Sequence, residues 1–145
     1  MTGREQIEEL CRRLGRAHAE RDASGIVDCY APDALIYNLA PPLSTRGLDL
    51  DETAAWLATW SSPILIDAEE VETVVSDALA WVTALNRMHG TKTDGTAIDI
   101  WFRTTMCFRK LGGVWKIVHD HASTPFCMDG SFRAAVDLEP RQRTQ

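Results

Sequence analysis

Near the carboxyl end of the chain three titratable residues run together: His119, Asp120 and His121. On a strand, successive side chains alternate, so Asp120 would face one way and both histidines the other. Only a bulge would bring all three to one side. A carboxyl group walled in by apolar side chains keeps its proton to higher pH, because burial disfavours the charged form. Such a group can give or take a proton near neutrality. Paired with an arginine or histidine instead, Asp120 would serve structure alone. His18 falls on an apolar helical stripe and could meet Asp120 across the core, although a histidine so placed is more often a packed core residue. Tyr30 follows a second short helical stretch and could aim its hydroxyl at the same place, or merely fill the core. Trp56 and Trp60, four residues apart, form either a lid of the core or an aromatic wall for a flat apolar ligand. The pattern leaves the inner face open: Trp115 and Ile117 share parity with the histidines, Val118 and Ala122 share it with Asp120, and a one-residue slip exchanges the two.

The elements that must position these groups are readable. Thr2 and Glu5 have capping-box spacing, and Ile7, Leu10, Cys11, Leu14 and Ala17 or His18 then recur every three or four residues, which predicts an amphipathic helix. A short helix fits Ala23 to Cys29 and stops before Pro32. Leu35 to Leu39 is a short apolar run with the character of a strand. The stretch from Ala40 to Arg46, with Pro41 and Pro42, reads as a loop. Asp49 and Glu52 repeat the capping-box spacing ahead of a helix carrying Trp56, Leu57 and Trp60. From Pro63 the pattern changes. Ile64 to Ser76, Leu79 to His89, Thr96 to Lys110 and Val114 to Thr124 are long β-branched and aromatic segments parted by short turn signals, including Thr93-Asp94-Gly95 and Gly112-Gly113. They predict an antiparallel meander whose long strands must twist and coil, leaving one concave face for the helices and a closed apolar pocket. The class is α+β. Ile100, Phe102, Met106 and Phe108 on one face, with Trp101 and Cys107 on the other, leave two apolar faces, so a homodimer is expected to cover the second.

The chain has 145 residues, 45% hydrophobic and 25% charged, which suits one domain with one core. The expected domain spans 1–136, and a polar tail, 137–145, is expected to fray. A formal net charge of −6 argues against holding phosphate backbones, so no nucleic-acid partner is expected. No apolar run reaches the roughly 18 residues of a membrane span, and the charged first ten residues do not read as a signal peptide. A cytoplasmic protein with no membrane partner is expected. Cys11, Cys29, Cys107 and Cys127 are scattered, without metal-ligand spacing, so neither disulfides nor a metal site are expected.

Two strings carry a family likeness. Arg103 to Lys110, then Gly112-Gly113-Val114-Trp115-Lys116-Ile117-Val118-His119-Asp120-His121-Ala122-Ser123-Thr124-Pro125, resembles the closing hairpin of SnoaL-like proteins of the nuclear-transport-factor-two-like superfamily. Ala23 to Asn38 resembles that family's second helix and first strand. The resemblance spans about residues 5 to 126. It implies a cone-shaped, cystatin-like roll, commonly a homodimer with sheets packed together, and no single reaction, since the fold hosts isomerases, dehydratases, hydrolases, cyclases and non-catalytic proteins. Against ketosteroid isomerase, Asn38 stands in place of the general-base aspartate, Leu14 in place of the oxyanion-hole tyrosine and Thr104 near the protonated aspartate, so that constellation is absent. An amide cannot act as that base. Limonene epoxide hydrolase carries an asparagine near Asn38 to orient water and a pocket aspartate at the place of Asp120, which favours Asp120 inside. The resulting expectation is a small hydrophobic-ligand-binding protein that needs no cofactor. Its expected acid–base residue is Asp120, with His18, Tyr30 and Asn38 positioning water or substrate and Leu14, Trp56, Trp60, Thr104, Met106 and Val118 lining the site. The alternative is a non-catalytic ligand-binding or dimerisation module.

Overall fold

The computed structural model describes residues 1–140. Helix α1 (Gly3–Ala19) opens on the expected capping box: Thr2 Oγ1 accepts from the Glu5 N–H at 3.1 Å, and Glu5 Oε1 accepts from the Thr2 N–H at 3.4 Å. Helix α2 (Ala23–Asp28) is capped by Asp22 and α3 (Leu50–Leu57) by Asp49. Each cap side chain satisfies an N–H that the first helical turn leaves unpaired. Six strands follow or intervene: β1 (Tyr30–Tyr37), β2 (Thr45–Arg46), β3 (Leu65–Val75), β4 (Leu79–Thr91), β5 (Ala97–Leu111) and β6 (Val114–Ser123). They form one curved, unclosed sheet in the order β2-β1-β6-β5-β4-β3. The long strands β3 to β6 pair antiparallel throughout, as the short separators require.

Two local features differ from expectation. The first strand starts at Tyr30, directly after α2, and lies parallel to β6. Its register with β6 breaks between Tyr30 and Leu35, the stretch that holds Pro32. A proline has no N–H to give a ladder, so it is tolerated where pairing lapses. The loop from Ala40 to Arg46 ends in the two-residue strand β2, whose Arg46 lies opposite Leu35. Gly47 closes that turn at φ +72°, and any Cβ there would sit 2.2 Å from the Pro32 carbonyl oxygen. Only glycine meets both conditions without strain.

The core lies between α1, α2 and the inner face of the sheet. Ile7, Leu10 and Leu14 of α1 meet Ile64, Ala80, Val82, Phe108 and Ile117 there. Phe108 and Ile117 lie opposite one another and are 1% and 0% exposed. The outer face stays apolar and open along β3 and β4, where Val74, Leu79 and Trp81 are exposed. Residues 136–140, which include the described part of the expected tail, run along the outer face. There, with Glu69, Arg87, Asp99 and Trp101, they bound a cavity of about 540 Å³. Residues 141–145 lie outside the described residues. Among the described residues, no helix is long and apolar enough to cross a membrane.

Candidate functional site

A bulge in β6 decides which side chains face inward. Phe108 pairs with Ile117 and Cys107 with His119, so Val118 is one residue too many for its partner strand. Cross-strand partners point to the same face. Ile117 and Asp120, three apart, therefore share the inner face with Phe108 and Met106. This removes the parity conflict in the sequence: Trp115 and Ile117 mark the Asp120 face, and the extra residue turns His119 and His121 outward. Val118 itself packs against Ala31, Ala34 and Ile36 of β1. Outside, the Tyr37 ring stands edge-on to both histidines, at 5.1 and 5.2 Å between centroids, and His119 Nδ1 donates to the Leu35 carbonyl oxygen at 2.8 Å.

On the inner face Tyr30 Oη donates to Asp120 Oδ2 at 2.6 Å. The two come from the parallel pair of strands β1 and β6, and 90 residues separate them in sequence. Burial pushes the Asp120 carboxyl above the ordinary carboxylate range, while the Tyr30 hydroxyl and the nearby His119 and His121 pull part of the way back. The Tyr30 hydroxyl is itself held well above its usual value, first by burial and then by the Asp120 charge and hydrogen bond. It therefore remains a donor, fixing one carboxyl oxygen and leaving Oδ1 for another partner.

Sheet register orders the rest of the inner face in rows across β4, β5 and β6. Ala80, Phe108 and Ile117 form the buried floor; Val82, Met106 and Asp120 come next, followed by Ala84, Thr104 and Ala122. Above Thr104, Asn86 on β4 donates from Nδ2 to Thr104 Oγ1 at 2.7 Å. Asp120, Tyr30, Met106, Thr104 and Asn86 are all half-buried. This stretch of the inner face is therefore partly accessible to solvent.

Four expected members lie elsewhere. His18 is on the inner side, but its Nδ1 donates to the Leu14 carbonyl oxygen at 2.9 Å and its ring meets Trp56 edge-on at 6.3 Å; no bond joins it to Asp120 among the described residues. Burial lowers its pKa, which favours the neutral ring. Asn38 is exposed, one residue past the end of β1, because the strand starts earlier than Leu35 and ends at Tyr37. Leu14 is a packed core residue. Trp60 is not on the helix of Trp56. It follows α3, bridges to Lys92 and is 2% exposed, while Trp56 is 39% exposed. The two rings still meet at 5.8 Å. The Trp60 indole N–H is buried with no acceptor among the described residues. Asn86 escaped the sequence reading. Its signal was a single amide in the inner-facing series Ala80, Val82, Ala84 and Met88, visible only once the parity of β4 is known.

Residues 7–127 match the SnoaL-like domain, and the chain belongs to that family. No curated protein matches it. Among solved structures it is similar to an NTF2-like protein of unknown function from Pseudomonas putida KT2440, at 26% identity and a TM-score of 0.82, over 97% of this chain and 99% of that one. It is also similar to a Streptomyces avermitilis protein of the NTF2-like family provisionally named a dehydratase, at 17% identity and a TM-score of 0.72, over 85% and 96% of the two chains. A Shewanella frigidimarina protein provisionally named a ketosteroid isomerase matches at 19% identity and a TM-score of 0.65, over 79% and 92%. At such identities the latter two share the fold alone.

Proposed function

We propose that this protein binds a small hydrophobic molecule on the inner face of its sheet and moves a proton with Asp120, as a cofactor-independent lyase, isomerase or hydrolase. The observation that carries the reading is the 2.6 Å bond from Tyr30 to Asp120 among apolar side chains. Tyr30 holds the carboxylate in one orientation. The free oxygen Oδ1 takes a proton from a carbon next to a carbonyl, or from water, and returns it to the product. Desolvation strengthens the base by raising its affinity for the proton. The two provisional names, dehydratase and isomerase, describe reactions of this proton-transfer kind.

A panel of apolar cyclic ketones, β-hydroxy ketones and epoxides tests the reading. Wild type should exchange, eliminate or open at least one class with turnover, and Tyr30→Phe should slow it roughly ten- to a hundredfold by loss of a bond to a charged group. A second reading, a non-catalytic ligand-binding or dimerisation module, is favoured by one fact: apart from Tyr30, no side chain hydrogen-bonds Asp120 among the described residues. Binding of panel members with no conversion of any would establish that second reading.

The exposed Val74, Leu79 and Trp81 support a homodimer paired through the outer faces, since a wide apolar surface on a lone chain is costly. Sedimentation at micromolar concentration should give a species of twice the 16.2 kDa chain mass, and a 16.2 kDa species would refute the pairing. The four free thiols fit a reducing cytoplasm, and neither nucleic acid nor membrane is a proposed partner.

A further inference from the structure

The inner face holds a second polar group that the proton-transfer chemistry does not use. Thr104 is flanked across the sheet by Ala84 and Ala122, so the row it occupies carries only short side chains. The rows on either side are taller, with Met106 and Asp120 on one side and Phe102 and Asn86 on the other. The result is a trough running across β4, β5 and β6. Asp120 borders it at the β6 end. The Asn86 amide borders it at the β4 end, tied to Thr104 at 2.7 Å. Thr104 Oγ1 accepts that bond, so its own O–H is free to donate. Asn86 keeps a second N–H and its amide oxygen, neither of which has a bond among the described residues. A hydroxyl and an amide on a largely apolar face lose their remaining water when a ligand covers them, so a ligand that completes their bonds is favoured over one that does not.

We propose that Asn86 and Thr104 form a specificity subsite for a second oxygen of the ligand. This rests on the reading that the inner face binds a small apolar molecule. Asp120 and Thr104 are diagonal neighbours across β5 and β6, a relation that sets them about 7–8 Å apart. The ligand class is therefore a flat, largely apolar ring system with two oxygen functions at opposite ends. One end meets Asp120 and Tyr30. The other, a carbonyl or hydroxyl oxygen, accepts from Thr104 and Asn86. Met106 and Phe102 close on its apolar middle.

Two fluorescent probes test this directly: 2,6-dihydroxynaphthalene, whose oxygens stand at opposite ends of a flat ring system with a comparable separation, and 2-naphthol, which lacks the second oxygen. Wild type should bind the diol about three- to tenfold more tightly than 2-naphthol, the worth of one net hydrogen bond. In Asn86→Leu and, independently, Thr104→Val, that preference should fall to near unity while 2-naphthol binds within about twofold of wild type. A diol preference that survives both substitutions overturns the subsite, and so does an equal loss of both probes or a failure of wild type to bind either. Asp120-dependent turnover is a separate readout. Turnover without an Asn86-dependent preference overturns the subsite alone. The preference without turnover keeps the subsite and overturns the acid–base chemistry.

Discussion

Asp120→Asn should cut turnover on any convertible substrate by about a hundred- to ten-thousandfold, the usual contribution of a positioned general acid or base. The substitution preserves shape, and the asparagine amide oxygen still accepts from Tyr30, so the loss falls on proton transfer and not on binding. Stability should respond in a way that separates this assignment from a structural ion pair. The folded protein holds the Asp120 proton more tightly than the unfolded chain does, because burial raises its pKa. Its contribution is therefore fully favourable below the unfolded value of about 3.9. It is lost as pH rises from there through the raised folded value, and the cost persists above. Asp120→Asn removes that cost, so denaturant melts should show the variant gaining on wild type between pH 4 and pH 7. A variant that instead loses stability on going to pH 7 would reveal a carboxylate held by cationic partners. The outer pair His119 and His121 would then be the better candidates for chemistry. In wild type, kcat/KM should rise with pH through the same raised value if Asp120 acts as base, and fall if it acts as acid.

Phe108→Ala should lower stability by about 3–5 kcal/mol, the cost of emptying a buried aromatic site. For a chain of this length that corresponds to a fall in Tm of roughly 10 °C. Phe108 is 1% exposed and faces Ala80 on one side and Ile117 on the other. Neither neighbour is large enough to close the gap, and both sit on strands pinned at their other edges. The consequence reaches the site. Phe108 lies opposite the residue just before the β6 bulge, and the bulge is what turns Asp120 inward. Thermal melts should show the loss, and weaker binding of 2-naphthol should accompany it even at temperatures where the variant is folded. A loss below about 1 kcal/mol would mean that the core is not anchored at this row.

Much of the architecture was legible because it rests on local chemistry. Thr2 with Glu5, Asp49 with its helix, and the turn residues between the long strands each act over a few positions, and each element formed within a residue or two of where those signals fall. The strand at Tyr30 was harder to see because Pro32 reads as a stop, and only the lapse in pairing with β6 makes it tolerable. The Tyr30–Asp120 contact was legible as types and not as a bond, since nothing local relates residues 90 apart. His18 was drawn toward Asp120 by residue type, and Asn38 by the family resemblance. Asn86, proposed for the far end of the trough, has no local signature and depends on the parity of a strand fixed by distant partners. The orientation of β6 rested on a one-residue irregularity that alternation by itself hides.

That irregularity gives the fold an unusual chemical lever. Deleting the extra residue Val118 would restore simple alternation and leave Asp120 inside, whereas pairing Val118 opposite Cys107 would present two imidazoles to the inner face in place of one carboxylate. No catalytic residue need be replaced. A one-residue slip of β6 against β5 would therefore exchange acid–base chemistry for a nitrogen-donor site in one event. Alignments with a relative that lacks the bulge need a gap at Val118; without one they would match residues of opposite orientation and transfer the wrong chemistry.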